Sequence, residues 1–113
     1  MPGGSTIARG NVILRMLLNV TLSPASVANA TSAEQTFTVN GLLVEDYVMV
    51  NKPTTQAGLV IGGVRVSASN TLAINFGNLT AATITPTAAE VYTVMVDRYD
   101  NSSMVQLAPS AIV

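Results

Sequence analysis

Cysteine, histidine and tryptophan are all missing from this chain of 113 residues. Without cysteine the chain has neither a disulfide nor a thiolate metal site, and without histidine it lacks the commonest metal ligand and acid–base side chain. Serine is plentiful, but no imidazole is present to activate a serine as a nucleophile. We therefore predict that the protein is not an enzyme and that it holds no cofactor and no metal ion.

Charged side chains are also scarce, with five basic and six acidic residues that give a net charge of −1. They are not clustered, so the chain has no basic patch that would neutralise nucleic-acid phosphates. Lys52 stands alone beside a proline, and we interpret it as a solvated loop residue. The most apolar run, VILRMLLNVTL, is interrupted by Arg15 and Asn19 and is shorter than the ~18 apolar residues of a membrane span. We predict no nucleic-acid partner and no membrane partner.

Two short groups of charged residues are the remaining candidates for chemistry. Glu45 and Asp46 are adjacent, and neighbouring side chains of an extended segment point to opposite faces, so they are not placed to flank one scissile bond. We interpret them as a solvated turn. Asp97, Arg98 and Tyr99 end a predicted strand and are candidates for a subunit interface. The two charges would act there as edge charges that block strand pairing, or as half of an intersubunit ion pair.

Alternation of apolar and polar residues indicates short strands separated by Gly, Pro, Asn and Ser turns. In GVRVSASNTLAINF, the SASN segment is predicted to turn between two strands, with Arg65 on the solvent side. The following strand should bury Leu72, Ile74 and Phe76. In EVYTVMVDRY, the same spacing predicts that Tyr92, Val94 and Val96 face inward.

Further strands are predicted over residues 7–22 and in TFTVNG, DYVMVNKP and LVIGGVRV, with a bulge or bend at Gly62-Gly63 and a short extended piece around Val27. These patterns predict an all-β fold, a single antiparallel β-sandwich of the jelly-roll or Greek-key type over residues 11–113. Residues 1–10 contain Pro2 and a pair of glycines, and we predict that they form a flexible, extended N-terminal arm.

The low charge also bears on assembly. Charged residues make up 10% of the chain and apolar residues 49%, so a free monomer would have little charge to keep it soluble. Part of its surface should be apolar and covered by copies of itself or by a larger assembly. We therefore predict a homo-oligomer.

Four motifs in a fixed order resemble a family, the small virion proteins of tailed bacteriophages. In this chain they read SAEQTFTVNGLL, DYVMVNKP, VRVSASNTLAINFGN and TPTAAEVYTV, and they lie within residues 32–99. Asn40 stands where the family pattern has proline, and Gly63 stands where it has alanine. The 31 residues before this span and the 14 residues after it lie outside the resemblance.

The resemblance implies a capsid decoration or cement protein on the outer surface of the virion. Its partners would be the major capsid protein and itself, as a homotrimer, and its function would be to stabilise contacts between capsid subunits. Within the arm, Ile7 and Arg9 are the candidate capsid contacts. The alternative is a tail or fibre structural subunit. A glycan-binding module would need exposed aromatic side chains, and Tyr99 is the one aromatic residue that we expect to be exposed.

Overall fold

The computed structural model describes residues 12–100, which form two antiparallel sheets of three strands each and contain no helix. The first sheet has the order β1-β6-β3 and the second has the order β2-β5-β4. The bounds of the six strands are β1 Val12–Leu22, β2 Thr31–Thr38, β3 Tyr47–Asn51, β4 Leu59–Ala68, β5 Thr71–Asn78 and β6 Glu90–Tyr99. The prediction of an all-β fold is confirmed for this part of the chain.

The core lies between the inner faces of the two sheets, and the central strands β5 and β6 supply its middle. Alternate residues of a strand point to one face, and in both strands the apolar members of that set are fully buried. They are Leu72, Ile74 and Phe76 in β5 and Tyr92, Val94 and Val96 in β6. The predicted inward faces of both strands are therefore confirmed.

The hairpin of β4 and β5 also follows the prediction. Ser69 and Asn70 make the turn, and Asn70 adopts a left-handed conformation with φ of 60°, which asparagine tolerates better than most residues. The Asn70 Oδ1 atom accepts the N–H of Gly41 at 2.7 Å, which ties the turn to the chain that leaves β2. The register of β4 shifts between Ile61 and Gly63, which confirms the predicted bulge.

Two loops are joined beyond the sheets. Val27, in the loop after β1, forms an isolated bridge with Ile84 in the loop after β5, through hydrogen bonds of 2.8 and 3.1 Å. The predicted extended piece around Val27 is therefore confirmed. The predicted arm over residues 1–10, with Ile7 and Arg9, lies outside the described residues, and so does the first part of the strand predicted over residues 7–22.

Candidate functional site: the outer face of the first sheet

Most charged side chains of residues 12–100 form ion pairs with other residues of the chain. Four ion pairs are present there, namely Arg15–Asp97, Lys52–Glu90, Arg65–Glu34 and Arg98–Asp46. No group of three or more potential metal ligands occurs in this part of the chain. No helix in it is long and apolar enough to cross a membrane. The surface thus offers few free charges to a partner.

The pair of Asp46 and Arg98 lies at one end of the core. The Asp46 side chain is fully buried, its two oxygens accept from the Arg98 Nε and Nη2 atoms at 2.8 and 2.7 Å, and it also accepts the N–H of Leu43 at 2.9 Å. Hydrogen bonds from Arg98 hold the pKa of Asp46 below its ordinary value. The interpretation of Glu45 and Asp46 as a solvated turn is therefore wrong for Asp46, although Glu45 is exposed.

Lys52 also differs from its prediction. Its ammonium lies 3.0 Å from Glu90 Oε1 and donates to the Thr54 carbonyl at 2.9 Å, and only 8% of its side chain is exposed. A hydrogen bond from Thr54, followed by the contact with Lys52, lowers the pKa of Glu90. Lys52 therefore fastens the loop after β3 to the start of β6 and is not a solvated loop residue. Arg65 is solvent-facing as predicted, with a bidentate pair to Glu34.

The three interface candidates lie at the end of β6. Asp97 and Arg98 point to opposite faces, as predicted, and each has a partner within the chain, Arg15 and Asp46 respectively. The idea that they are edge charges is wrong, because β6 pairs with β1 on one side and β3 on the other and is a central strand. Tyr99 is half-buried. A role for these residues in contacts between subunits stays a prediction.

The outer face of the first sheet carries several exposed apolar side chains. Strand register places Leu17 beside Met95, and Met95 beside Met49, so these three side chains form an apolar row across the sheet. Leu17 is 67% exposed and Met49 is 54% exposed. With Thr93 and Asn51 at one end, the row lines a shallow groove of about 270 Å³.

Two polar rows border the apolar row. On one side, Arg15 and Asp97 form a bidentate ion pair, and Tyr47 follows on β3 with 65% of its surface exposed. On the other side lie Asn19, Thr93 and Asn51. An apolar centre with a polar border is the usual composition of a protein interface. The two charged side chains at this border, Arg15 and Asp97, are paired with each other.

Sequence reasoning missed this face although the signal was present. VILRMLL is apolar at both odd and even positions, which in a strand places apolar side chains on both faces. Tyr47, the most exposed aromatic residue of the described chain, was also missed, because nothing local shows that β3 presents it outward.

A second concave surface lies on the outer face of the other sheet. Its volume is about 590 Å³, and its floor is open because Gly62 and Gly77 lack side chains. The Oδ1 atom of Asn75 is buried there without a hydrogen-bond partner among the described residues. No charged side chain lines this trough, so it presents little for an ionic ligand to recognise.

The hydroxyl of Tyr92 gives a pH-dependent property of the core. It is buried without a hydrogen-bond partner in residues 12–100, and burial, with the nearby charge of Glu90, raises the pKa of Tyr92 to about 12. A pKa raised above the unfolded value of about 10 means that the stabilising contribution is complete below that pH and is lost as the pH rises towards 12.

We therefore expect Tyr92→Phe to match or exceed the wild type in thermal stability at neutral pH and to lose less stability between about pH 10 and 12. Circular dichroism melts across this range measure both effects. Tyr47→Phe, which changes an exposed ring, is the control and should keep the alkaline loss. An equal alkaline loss in the Tyr92→Phe variant and the wild type would contradict the assignment.

Comparisons with known protein families, curated proteins and solved structures find no match for this chain. Its function is therefore argued from the surface just described and from the sequence resemblance.

Proposed function

We propose that the protein is a structural subunit of a bacteriophage particle, a decoration or cement protein that binds the outer surface of the head without catalysing a reaction. The apolar row of Leu17, Met49 and Met95 carries this proposal, because exposed apolar surface bordered by neutralised polar groups is typical of a subunit that assembles. The resemblance of residues 32–99 to small virion proteins supplies the particle. The same resemblance names the major capsid protein as the partner.

The strand order supports a finer description of the fold, a jelly-roll sandwich. β1 pairs with β6, β2 pairs with β5, and β3 lies beside β4, so the strands are nested around the connection between β3 and β4. A jelly roll of eight strands without its fifth and sixth strands has this order. Jelly rolls occur in capsid domains and in lectins, so the fold agrees with the proposed function without deciding between those classes.

The proposed mechanism is multivalent clamping. Each contact between a small domain and the shell is weak, but several contacts made by one oligomer become effectively intramolecular after the first has formed. Bridging neighbouring capsid subunits in this way stabilises the contacts between them. The apolar face explains why copies would associate, and residues 1–10 supply the candidate attachment to the shell through Ile7 and Arg9.

Deletion of residues 1–10 tests this attachment. We expect the thermal transition to remain nearly unchanged, because residues 12–100 already form two sheets around a common core, and we expect lower occupancy on phage heads stripped of their own decoration protein. Occupancy is measured by quantitative gel analysis of sedimented particles.

The matched comparison keeps the full chain. An Ile7→Ser, Arg9→Ser variant should lose occupancy as the deletion does, whereas Ser5→Ala should not. If the truncated protein decorates heads as fully as the intact chain, the arm is not the attachment and the loops of the β-domain must supply it.

A tail or fibre subunit is the competing assignment, and the copy number in purified virions separates the two. A head decoration protein repeats over the whole shell and is therefore present in many more copies than a tail component. A band intensity comparable with that of the major capsid protein supports decoration. An intensity comparable with that of known tail proteins would overturn it.

A further inference from the structure

Within residues 12–100, β1 is an edge strand of the first sheet. It is eleven residues long, it pairs with β6 on one side, and no other strand within residues 12–100 pairs with its second side. An exposed edge presents a row of unpaired backbone donors and acceptors that another strand can bind. The edge at β3 is shorter, with five residues, and lies beside β4.

β1 also lacks the usual devices that prevent edge pairing. It contains no proline and no lysine, and its single charge, Arg15, is neutralised by Asp97 on the neighbouring strand. The register irregularity of β1 lies at its first residues, between Val12 and Leu14, away from the middle of the strand. At the middle, Leu17 is exposed on the outer face and Met16 is 39% exposed on the inner face.

We propose that β1 pairs antiparallel with β1 of a second copy of this chain, with Leu17 opposite Leu17. The first sheet of one copy and the first sheet of the other then become one sheet of six strands. The apolar rows of both copies join at Leu17 into one continuous row. On the inner face, Met16 of each copy comes beside Leu18 of the other, which covers the apolar surface that the second sheet leaves exposed.

Charge and polarity select this register. With Leu17 opposite itself, Arg15 comes opposite Asn19 of the second copy, whose side-chain oxygen is a suitable acceptor. Side chains stay on the same face only if the register moves by two residues, and such a shift in either direction places Leu17 opposite Arg15 or opposite Asn19 and breaks the apolar row. Moving it further, so that Arg15 lies opposite Arg15, places like charges together.

The occupant is a second copy because the edge is complementary to itself. The apolar row ends at Leu17 on β1, and the same row of a second copy extends it across the new strand pair. A chain with a net charge of −1 also causes little repulsion between copies. This inference rests on the self-assembly included in the proposed function, but not on attachment to a capsid. The contact is isologous and closes with two copies, so it gives a dimer in place of the trimer that the resemblance implies.

Disulfide trapping tests the pairing directly, because the chain has no cysteine. Residues opposite each other in an antiparallel pair have Cα atoms about 4.5–5.5 Å apart, which a disulfide can bridge. Under mild oxidation, Leu17→Cys should form a covalent dimer at least about tenfold faster than Leu79→Cys, because pairing raises the effective concentration of the two thiols. Leu79 is 74% exposed on the chain that leaves the second sheet and is the matched control.

Sedimentation of the wild type and of Leu17→Lys completes the test. The wild type should sediment as a dimer, and the variant should sediment as a monomer with the same far-UV circular dichroism spectrum, while its thermal transition should no longer rise with protein concentration. A monomeric or trimeric wild type, or equal cross-linking at both cysteine positions, would overturn the pairing. Decoration of heads by such a protein would leave the proposed function standing, whereas a trapped dimer that binds no heads would overturn the function and leave the pairing.

Discussion

Asp46→Ala is expected to lower the free energy of unfolding by about 3 kcal/mol, the cost of breaking a buried ion pair from one side. The carboxylate is fully buried and accepts three hydrogen bonds, two from Arg98 and one from the Leu43 N–H. Without the carboxylate, the Arg98 guanidinium keeps its hydrogen bond to the Gly41 carbonyl but loses both of its bonds to Asp46. One quarter of the Arg98 side chain is exposed, and partial hydration keeps the cost at the lower end of the known range.

Chemical denaturation measures this change, and Glu34→Ala is the matched control. Glu34 forms the same bidentate pair with Arg65, but both side chains are exposed to water, so the cost should be small. Equal losses in the two variants would show that burial does not set the strength of the Asp46 pair.

The pair of Asp46 and Arg98 also makes the free energy of unfolding depend on pH in acid. Because the pKa of Asp46 is lowered in the folded state, its contribution is present above the unfolded value of about 4 and is lost as the pH falls through the folded value. Asp46→Asn should therefore lose less stability on acidification than the wild type does. The pKa values of Glu34, Glu90 and Asp97 are lowered as well, so part of the acid dependence remains.

Asn78→Ala is expected to cost at least about 3 kcal/mol, because it removes four hydrogen bonds from a buried site. Asn78 is 1% exposed. Its amide donates to the carbonyls of Val27 and Ala82 at 3.0 and 2.8 Å, and its oxygen accepts from the N–H and hydroxyl of Thr80 at 2.9 and 2.7 Å. The full bonding capacity of the side chain is thus used to join β5 to the two loops linked by the Val27 bridge.

Asn75 offers a control on the same strand. Its oxygen is buried without a hydrogen-bond partner among residues 12–100, so Asn75→Ala should change the unfolding free energy by less than about 1 kcal/mol. Asn78→Asp separates donors from acceptors, since it keeps the acceptor oxygens and loses the amide donors. We expect it to be at least as damaging as Asn78→Ala, because a carboxylate would face two carbonyl oxygens. Thermal melts measure these changes. Equal melting temperatures for Asn78→Ala, Asn78→Asp and Asn75→Ala would contradict the role assigned to the four hydrogen bonds of Asn78.

The strands could be predicted from sequence where alternation and turn residues agree, as in the hairpin of β4 and β5 and in the buried face of β6. The ion pairs could not. Asp46 and Arg98 meet because β3 pairs with β6, and Lys52 meets Glu90 for the same reason. Local patterns carry no information on which strands become neighbours, and so Asp46 and Lys52 were predicted to be solvated and Arg98 was predicted to be an edge charge or half of an intersubunit ion pair.

The candidate site, too, could be predicted only in part from the sequence. The sequence placed Asp97 and Arg98 on opposite faces of a strand, which periodicity alone determines. It placed that strand at an edge, whereas β1 and β3 enclose it. The apolar row depends on the register of three strands at once, and neither Leu17 nor Met49 is unusual within its own segment.

The pairing of β1 with β6 has a consequence for how the chain folds. It joins the first described strand to the last, so this contact must close the longest loop, and such contacts form late. At about 5–20 residues per second, ribosomes take roughly several seconds to reach β6 after completing β1. During that interval β1, apolar on both faces, has no β6 to pair with, while the local hairpin of β4 and β5 can already close. The segment that would unite two finished copies is thus also the one most prone to aggregate during synthesis.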